Sequence, residues 1–474
     1  MSNNDTPRSP TGLLERCLRL FAPVGDREGL TGLLLLANVF LVLVAYYFIK
    51  PVREGWLSVS DISGLTKLEI KAYSAFTQSL LLVLVLPLYA KLASRLPRGA
   101  LITRVGGVFT ALLGTFWLMQ PDMILPVNAV VGVAFYLFVG IFGVTLVAQF
   151  WSFAADMYGE NRGERLFPLV AIGASAGATV GAWAGEKLIT SELVDAADLL
   201  LLAAAPLLLA LRLAHLADRR GPSGRPSRAT ETRWVQPAAP GAESGYELIA
   251  KHRYLGGIAL MTLVFNWVIA NGDNILFATV QEALAEQHRA AADSIGYAAI
   301  INAATTAFYG DLYFWVNLLG LLLQAFIVSR LVALGGVPAV LLVTPIVSLV
   351  AYFSMALSPL VSVLKTMKIA ENATNYSLNN TARHMLWLPT SKTMLYKAKP
   401  TIDTLFVRIG DGLAAVTVLL GTRVFHLETV QYFQINVGII CLWVLLAFYL
   451  TRENRRWAER AVQTPAAATG GTNR

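Results

Sequence analysis

Residues 365–383 read Lys-Thr-Met-Lys-Ile-Ala-Glu-Asn-Ala-Thr-Asn-Tyr-Ser-Leu-Asn-Asn-Thr-Ala-Arg. Lys365, Lys368, Asn372, Asn375, Asn379 and Arg383 follow one another at steps of three, four, three, four and four. That spacing stacks all six on one face of an α-helix. Whether the helix crosses a membrane decides the fold. A cationic stripe is costly in hydrocarbon and persists only where it faces protein or a wet cavity, so a spanning helix with this face reads as a substrate pathway.

Working outward, the flanking sequence is apolar. Hydrophobic residues make up 55% of the 474 residues and charged ones 14%, with a mean hydropathy of +0.57. A soluble domain carries about a quarter charged residues. Apolar runs long enough to cross a core of about 30 Å recur along the chain. The expected fold is an all-α polytopic membrane protein of twelve transmembrane helices. The spans fall roughly at 30–57, 68–92, 99–120, 124–156, 165–189, 196–216, 254–282, 308–332, 336–357, 359–388, 400–423 and 430–451.

Met1 to Gly29 is polar, holds four arginines and lacks a cleavage-site pattern, so it reads as a cytoplasmic tail. Residues 217–250, rich in Pro, Gly, Ser and Arg, form a cytoplasmic linker between six-helix bundles at 30–216 and 251–455. Residues 456–474 read as a disordered tail. With both termini and every even-to-odd connection placed in the cytoplasm, those segments hold 27 of the 38 Lys and Arg. This is the positive-inside asymmetry. It accounts for the net charge of +8 through an anionic leaflet, without nucleic acid. It also forces 359–388 to cross the membrane, despite its poor hydropathy.

Short echoes relate the two halves. Ala93-Ser-Arg-Leu96 returns as Val328-Ser-Arg-Leu331, and Ile172-Gly173 as Ile409-Gly410, at offsets of 235 and 237 residues. Duplicated six-span bundles suggest a major facilitator-like 6+6 transporter, with its site near the midplane. In such a fold spans one, four, seven and ten line the cavity, and these spans carry the intramembrane polar residues. Span one ends in Lys50-Pro-Val-Arg53-Glu54. Span four holds Gln149, Trp151 and Asp156, and span seven holds Asn266 and the break Asn271-Gly-Asp273-Asn274.

Each of these features has a plainer reading. Lys50, Arg53 and Glu54 could snorkel at an interface. The asparagines could bond helix to helix, although two lysines and an arginine need anionic partners. Glu371, three residues on, could neutralise Lys368. Asp403 and Arg408 could pair with each other at a gate, and Asp156 with Arg162 and Arg165 could do the same. Gly173, Gly177, Gly181 and Gly185 form a ridge that packs helices or lets them slide. Gly-x4-Gly-Lys-Ser/Thr, His-Glu-x-x-His and Cys-x-x-Cys are all absent, and the two cysteines, Cys17 and Cys441, lie near opposite ends. No enzyme, cofactor or metal centre is expected.

At these residues the chain resembles the ATP/ADP translocase (nucleotide transporter) family of plastids and intracellular bacteria. Tyr376-Ser-Leu378 followed by Arg383, Met385 and Pro389 is similar to that family's Tyr-Ser-Leu-Phe-Asp-Pro-Thr-Lys-Glu-Met block. Lys397-x-Lys399-x-x-Ile402-Asp403 with Arg408-x-Gly410 is similar to its Lys-Gly-Lys-x-x-Ile-Asp…Arg-Leu-Gly run. Lys50-x-x-Arg53-Glu54-x-x-Leu57 is similar to Arg-x-x-Lys-Asp-x-Leu, and Phe150-Trp151 with Arg165-Leu-Phe-Pro-Leu169 to the span four–five junction. The chain departs from the family at Asn379 to His384, where two carboxylates are missing, and at Asp411, which replaces a basic residue.

The resemblance implies a monomeric bacterial inner-membrane exchanger of a phosphorylated nucleotide or related organic anion. The expected substrate contacts are Lys50, Arg53, Lys365, Lys368, Asn372, Asn375, Asn379, Arg383, Tyr47, Trp151 and Asn271, with adenine stacking on Tyr46, Tyr47, Trp151 or Tyr376. The expected coupling or gate residues are Glu54, Asp156, Arg165, Asp273, Glu371, Asp403 and Arg408. The alternative is a proton-coupled major facilitator exporter of another metabolite, with Glu54, Asp273, Glu371 or Asp403 carrying the proton and His384 as a helper.

Overall fold

A computed structural model describes residues 29–120, 129–220, 244–294 and 296–463, and it is helical throughout, without strands among them. In chain order the helices are α1 (Gly29–Ser58), α2 (Lys67–Arg95), α3 (Arg98–Leu118), α4 (Ala129–Thr190), α5 (Asp198–Arg220), the short α6 (Gly245–Lys251), α7 (Arg253–Gln287), α8 (Tyr297–Leu322), α9 (Ser329–Leu357), α10 (Val361–Thr374), α11 (Asn380–Met385), α12 (Lys392–Thr401), α13 (Val407–Leu420) and α14 (Thr429–Gln463). Four wider π-helical turns lie at Leu323–Val328, Asn375–Asn379, Ile402–Phe406 and Gly421–Phe425. Among the described residues, nine helices are long and apolar enough to cross a membrane. The 365–383 helix is outside that set, because its charges lower the hydropathy that a span needs.

The chain forms two compact units. Unit 1 comprises residues up to Ile62, Leu81–Gln236 and Gln287–Leu318, and unit 2 comprises Ser63–Leu80, Pro237–Glu286 and residues from Leu319 onward. Each unit therefore holds a piece of the other half of the sequence. The first half of α2 belongs to unit 2, and most of α8 belongs to unit 1.

In lipid the hydrophobic effect does not drive helix against helix, so close backbone approach has to do that work. The glycine ridge supplies it in unit 1. A Cβ on Gly173 would lie 2.6 Å from the Leu36 carbonyl oxygen, one on Gly177 2.8 Å from the Phe40 Cα, and one on Gly181 2.9 Å from the Val44 Cα. The ridge is thus pressed against α1 in four-residue register. In unit 2, Gly410 repeats the device, with its Cβ position 2.7 Å from the Leu263 carbonyl of α7. The echo between Ile172-Gly173 and Ile409-Gly410 is a repeated helix contact. Beside it, Trp56, Phe109, Phe116, Phe135, Phe138 and Phe142 interlock in a buried aromatic block of unit 1.

One local expectation is corrected. The segment Asn271–Asn274 is no break, since α7 runs through it as helix. Inside α9 the chain turns at Gly336 with φ +60°, a conformation that glycine takes without penalty, close to the expected boundary between the spans at 308–332 and 336–357.

Candidate functional site

The stripe that opens the sequence divides into two environments, both within unit 2. Its upper part, on α10, is closed. Lys368 is 1% exposed, and its Nζ donates to Glu371 Oε2 at 2.6 Å and pairs with Asp273 Oδ1 of α7 at 2.9 Å. Tyr352 of α9, fully buried, donates to the same Glu371 oxygen at 3.3 Å. Gly272 makes room for this knot, because a Cβ there would meet the Tyr352 Cζ at 2.8 Å and the Lys368 Nζ at 3.1 Å. Below it Asn271 donates to Asn436 of α14 at 2.7 Å, fastening α7 from behind.

The lower part is open. Beyond α10 the helix widens into the π-helical turn Asn375–Asn379 and continues as α11. That turn, α11 and the π-helical turn Ile402–Phe406 wall a cavity of about 600 Å³. Asn375, Asn379 and Arg383 of the stripe line it, and so does the half-exposed Tyr376. Single-turn π-bulges are frequent at functional sites, because they turn side chains off the regular helical face.

Arg383 binds Asp403 at 2.6 Å and lies 4.8 Å over the face of Phe265. Asn379 donates to Asn375 at 2.8 Å. Lys399 Nζ lies 3.4 Å from His384 Nδ1. The cavity thus offers two basic side chains, one acidic one, carboxamides that donate and accept, and aromatic faces at Tyr376, Trp387 and Phe265. Such a lining suits a ligand with an anionic end and a flat ring.

Other expected site residues lie elsewhere. Lys50 of unit 1, 8% exposed, stands 3.9 Å over the ring of Tyr313, 4.9 Å over Tyr47 and 5.8 Å over Tyr46. Tyr47 donates to Asn317 at 3.0 Å. Arg53 pairs with the buried Glu54 at 3.0 Å and lies 4.8 Å over Tyr136. Trp151 packs edge-on against Phe150 and Phe167, and Asp156 is exposed. Lys365 is half-buried and Asn372 buried. The side chain of Arg165 lies outside the described residues.

Asp403 and Arg408 do not pair with each other. Asp403 is held by Arg383, whereas Arg408 reaches Asp411 at 3.3 Å and donates to Ser79 at 3.0 Å. Ser79, Arg408 and Asp411 form a row within unit 2 that ties the first half of α2 to α13, continued by Glu69 accepting from Arg423 at 2.6 Å.

Of the residues found here, His384 is expected from the sequence only as a helper to a proton site, and Phe265, Trp387, Lys399 and Tyr352 are not expected site residues. Lys399 reads there as one more basic residue of a cytoplasmic loop. Tyr352 sits in the span 336–357, which carries no charged residue to point to a site.

No protein-family model matches the chain. The ADP,ATP carrier protein 1 of Chlamydia pneumoniae is 23% identical over 450 residues, covering 81% of this chain and 84% of that protein. Among solved structures, an auto-inhibited POT family peptide transporter aligns with a TM-score of 0.59 at 11% identity, covering 90% of this chain and 97% of that one. The human organic anion transporter MFSD10 aligns at 0.54 and 15%, covering 89% and 99%. A bacterial homologue of the human lysosomal transporter Spinster, inward-facing and unoccupied, aligns at 0.53 and 13%, covering 90% and 98%.

The fold is therefore major facilitator-like, and the chain is a multi-pass membrane transporter rather than an enzyme. Within that class, the resemblance to ATP/ADP translocases read from the motifs is matched by a carrier of that kind along most of the chain.

Proposed function

We propose that this chain is an alternating-access carrier of a phosphorylated nucleotide, working by ATP/ADP-type exchange, or of a related organic anion. It acts as a monomer in a bacterial inner membrane, with both termini in the cytoplasm. One observation carries the reading: the unit 2 cavity joins Arg383 and Lys399 to Tyr376, Trp387 and a set of asparagines. A guanidinium presents a planar fork that fits phosphate oxygens two at a time. Asp403 Oδ1 takes one nitrogen of that fork, so an arriving phosphate displaces Asp403 from Arg383. The anion thereby exchanges one charged partner for another instead of stripping water from a bare cation. The base stacks on Tyr376 or Trp387, and Asn375, Asn379 and Asn380 bond its edge. Lys50 and Arg53 add positive potential within unit 1.

A second reading, a proton-coupled exporter of another metabolite, draws on one observation, the buried carboxylate of Glu371. Proteoliposomes separate the two. Uptake of labelled ADP that requires internal ADP or ATP supports exchange, and uptake of another metabolite driven by a pH gradient alone supports the exporter. Absence of any nucleotide uptake, with or without internal nucleotide, overturns the nucleotide reading.

A further inference from the structure

Trp387 and Lys399 of the cavity stand at the two ends of one connection, which leaves α11 at Leu386 and returns through α12. Each end is fastened to the same place, the joint between α6 and α7. At the first end the carbonyl of Leu386, next to Trp387, accepts from the Tyr254 hydroxyl at 2.6 Å. Tyr254, in the first turn of α7, is fully buried. Its oxygen also accepts from Asn454 Nδ2 of α14 at 2.7 Å, and its ring stacks on Trp457 at 5.3 Å. The hydroxyl is used both as donor and as acceptor, which fixes where Leu386 stands.

At the other end α6 does the fastening. Ser244 and Glu247 close a capping box, so this seven-residue helix keeps its first turn. In that turn Gly245 lies flush against α12. A Cβ there would stand 2.5 Å from the Lys397 carbonyl oxygen, and the Thr401 hydroxyl is also in its way. Lys397 and Thr401 bracket Lys399, and the Thr401 hydroxyl donates to that same carbonyl at 2.9 Å. The obstacle is backbone, so a side chain at 245 has to shift the helix that carries Lys399. Only His252 separates α6 from α7, and its ring meets Trp457 edge-on at 5.7 Å. Gly245 and Tyr254 therefore belong to one pinned joint.

We propose that this joint positions both ends of the ligand without touching it: Gly245 sets Lys399 for the anionic end, and Tyr254 sets Trp387 for the ring. Hydrogen bonds weaken steeply as their geometry departs from the optimum, so a small shift of α12 is felt at the phosphate. The ligand named here rests on the nucleotide reading, whereas the fastening of residues 386–401 does not.

Hydrogen exchange on the purified full-length protein, without ligand, tests the fastening. Amides of 386–401 should exchange several-fold faster in Gly245→Ala and in Tyr254→Phe than in the wild type, while α1 and α4 of unit 1 stay unchanged. Unchanged exchange over 386–401, or acceleration spread equally through unit 1, overturns the joint. Titration calorimetry with ADP and with inorganic pyrophosphate tests the division of labour. Gly245→Ala should weaken both ligands by about tenfold, the worth of a charge-assisted hydrogen bond. Tyr254→Phe should weaken ADP by about two- to tenfold, the worth of an aromatic face, and leave pyrophosphate as it was. Gly256→Ala is the control, because a Cβ there meets only the Ile249 carbonyl, at 3.6 Å, and it should bind both ligands as the wild type does. Equal losses for the two ligands in Tyr254→Phe, or a loss in Gly256→Ala as large as in Gly245→Ala, overturns the positioning. A wild type that binds no ADP defeats the nucleotide reading, while the exchange result still decides whether the joint holds the cavity wall.

Discussion

Lys368 and Arg383 are two cations of one helical stripe, and the chain treats them in opposite ways. Lys368 is sealed between α7, α9 and α10, with two carboxylates within 3 Å and 1% of its surface exposed. Arg383 keeps 26% of its side chain in the open cavity, against one carboxylate that is itself 40% exposed. Position on a helix face therefore does not define a role. A cation enclosed with its partners acts structurally and electrostatically, whereas one with a displaceable partner can take a ligand. The contrast predicts that substitutions in the upper stripe damage the fold and those in the lower stripe damage binding.

The largest effect is expected at Lys368. Removing one member of a buried ion pair strands the other charge, at about 3–5 kcal/mol. Lys368→Ala should therefore lower the thermal midpoint sharply or abolish folded protein in detergent. Replacing Lys368 and Glu371 together with Met should cost much less, because no buried charge is left uncompensated at that pair. A double variant as unstable as Lys368→Ala would show that the knot is held by shape and not by charge.

Next comes Gly272. Its absent side chain admits both Tyr352 and Lys368, so Gly272→Ala forces a Cβ to within 2.8 Å of the tyrosine ring and should cost about 1–3 kcal/mol. The helix is regular there, and alanine is otherwise the better helix former. A neutral or stabilising Gly272→Ala would mean that the knot is looser than it is drawn. The sequence presents this glycine as part of a break, whereas what it supplies is space.

That inversion shows what the sequence could and could not disclose. Periodicity made the stripe legible, and the positive-inside count argued for a crossing there despite low hydropathy. The Glu371 partnership followed from a three-residue step, because i,i+3 neighbours meet on any helix. Asp273 and Tyr352 joining the same lysine depends on how α7 and α9 pack against α10, and no local spacing encodes that. Asp403 illustrates the same limit. The five-residue step to Arg408 falls off the helical face, particularly where the π-helical turn Ile402–Phe406 shifts the register, and its partner is instead Arg383, 20 residues earlier. Lys399 reaches the cavity only because α12 folds back beside α11, which carries His384.

In the lower stripe, Arg383→Ala should leave stability nearly unchanged, since exposed pairs contribute about 0–1 kcal/mol. Nucleotide binding should fall about tenfold or more, as charge-assisted hydrogen bonds to phosphate are worth about 1.5–3 kcal/mol. Titration calorimetry with ADP on the purified protein measures this. Asp403→Asn is the informative partner. If Asp403 competes with the ligand for Arg383, freeing the guanidinium should tighten ADP binding at low ionic strength. Weaker binding in Asp403→Asn would show that the carboxylate positions Arg383 rather than blocking it.

The smallest effect is expected at Tyr376, which is 48% exposed beside the cavity. An aromatic face contributes about 0.5–1.5 kcal/mol beyond its buried area, so Tyr376→Leu should weaken ADP binding by about two- to tenfold. Tyr376→Phe, which keeps the ring and loses only the hydroxyl, should bind almost as the wild type does. The comparison of ligands sharpens the point: inorganic pyrophosphate, with no base to stack, should bind Tyr376→Leu and the wild type alike, yet should lose affinity in Arg383→Ala. Equal losses for ADP and pyrophosphate in Tyr376→Leu would mean that the ring shapes the cavity and does not read the base. The open half of the stripe would then recognise only the anionic end of its ligand.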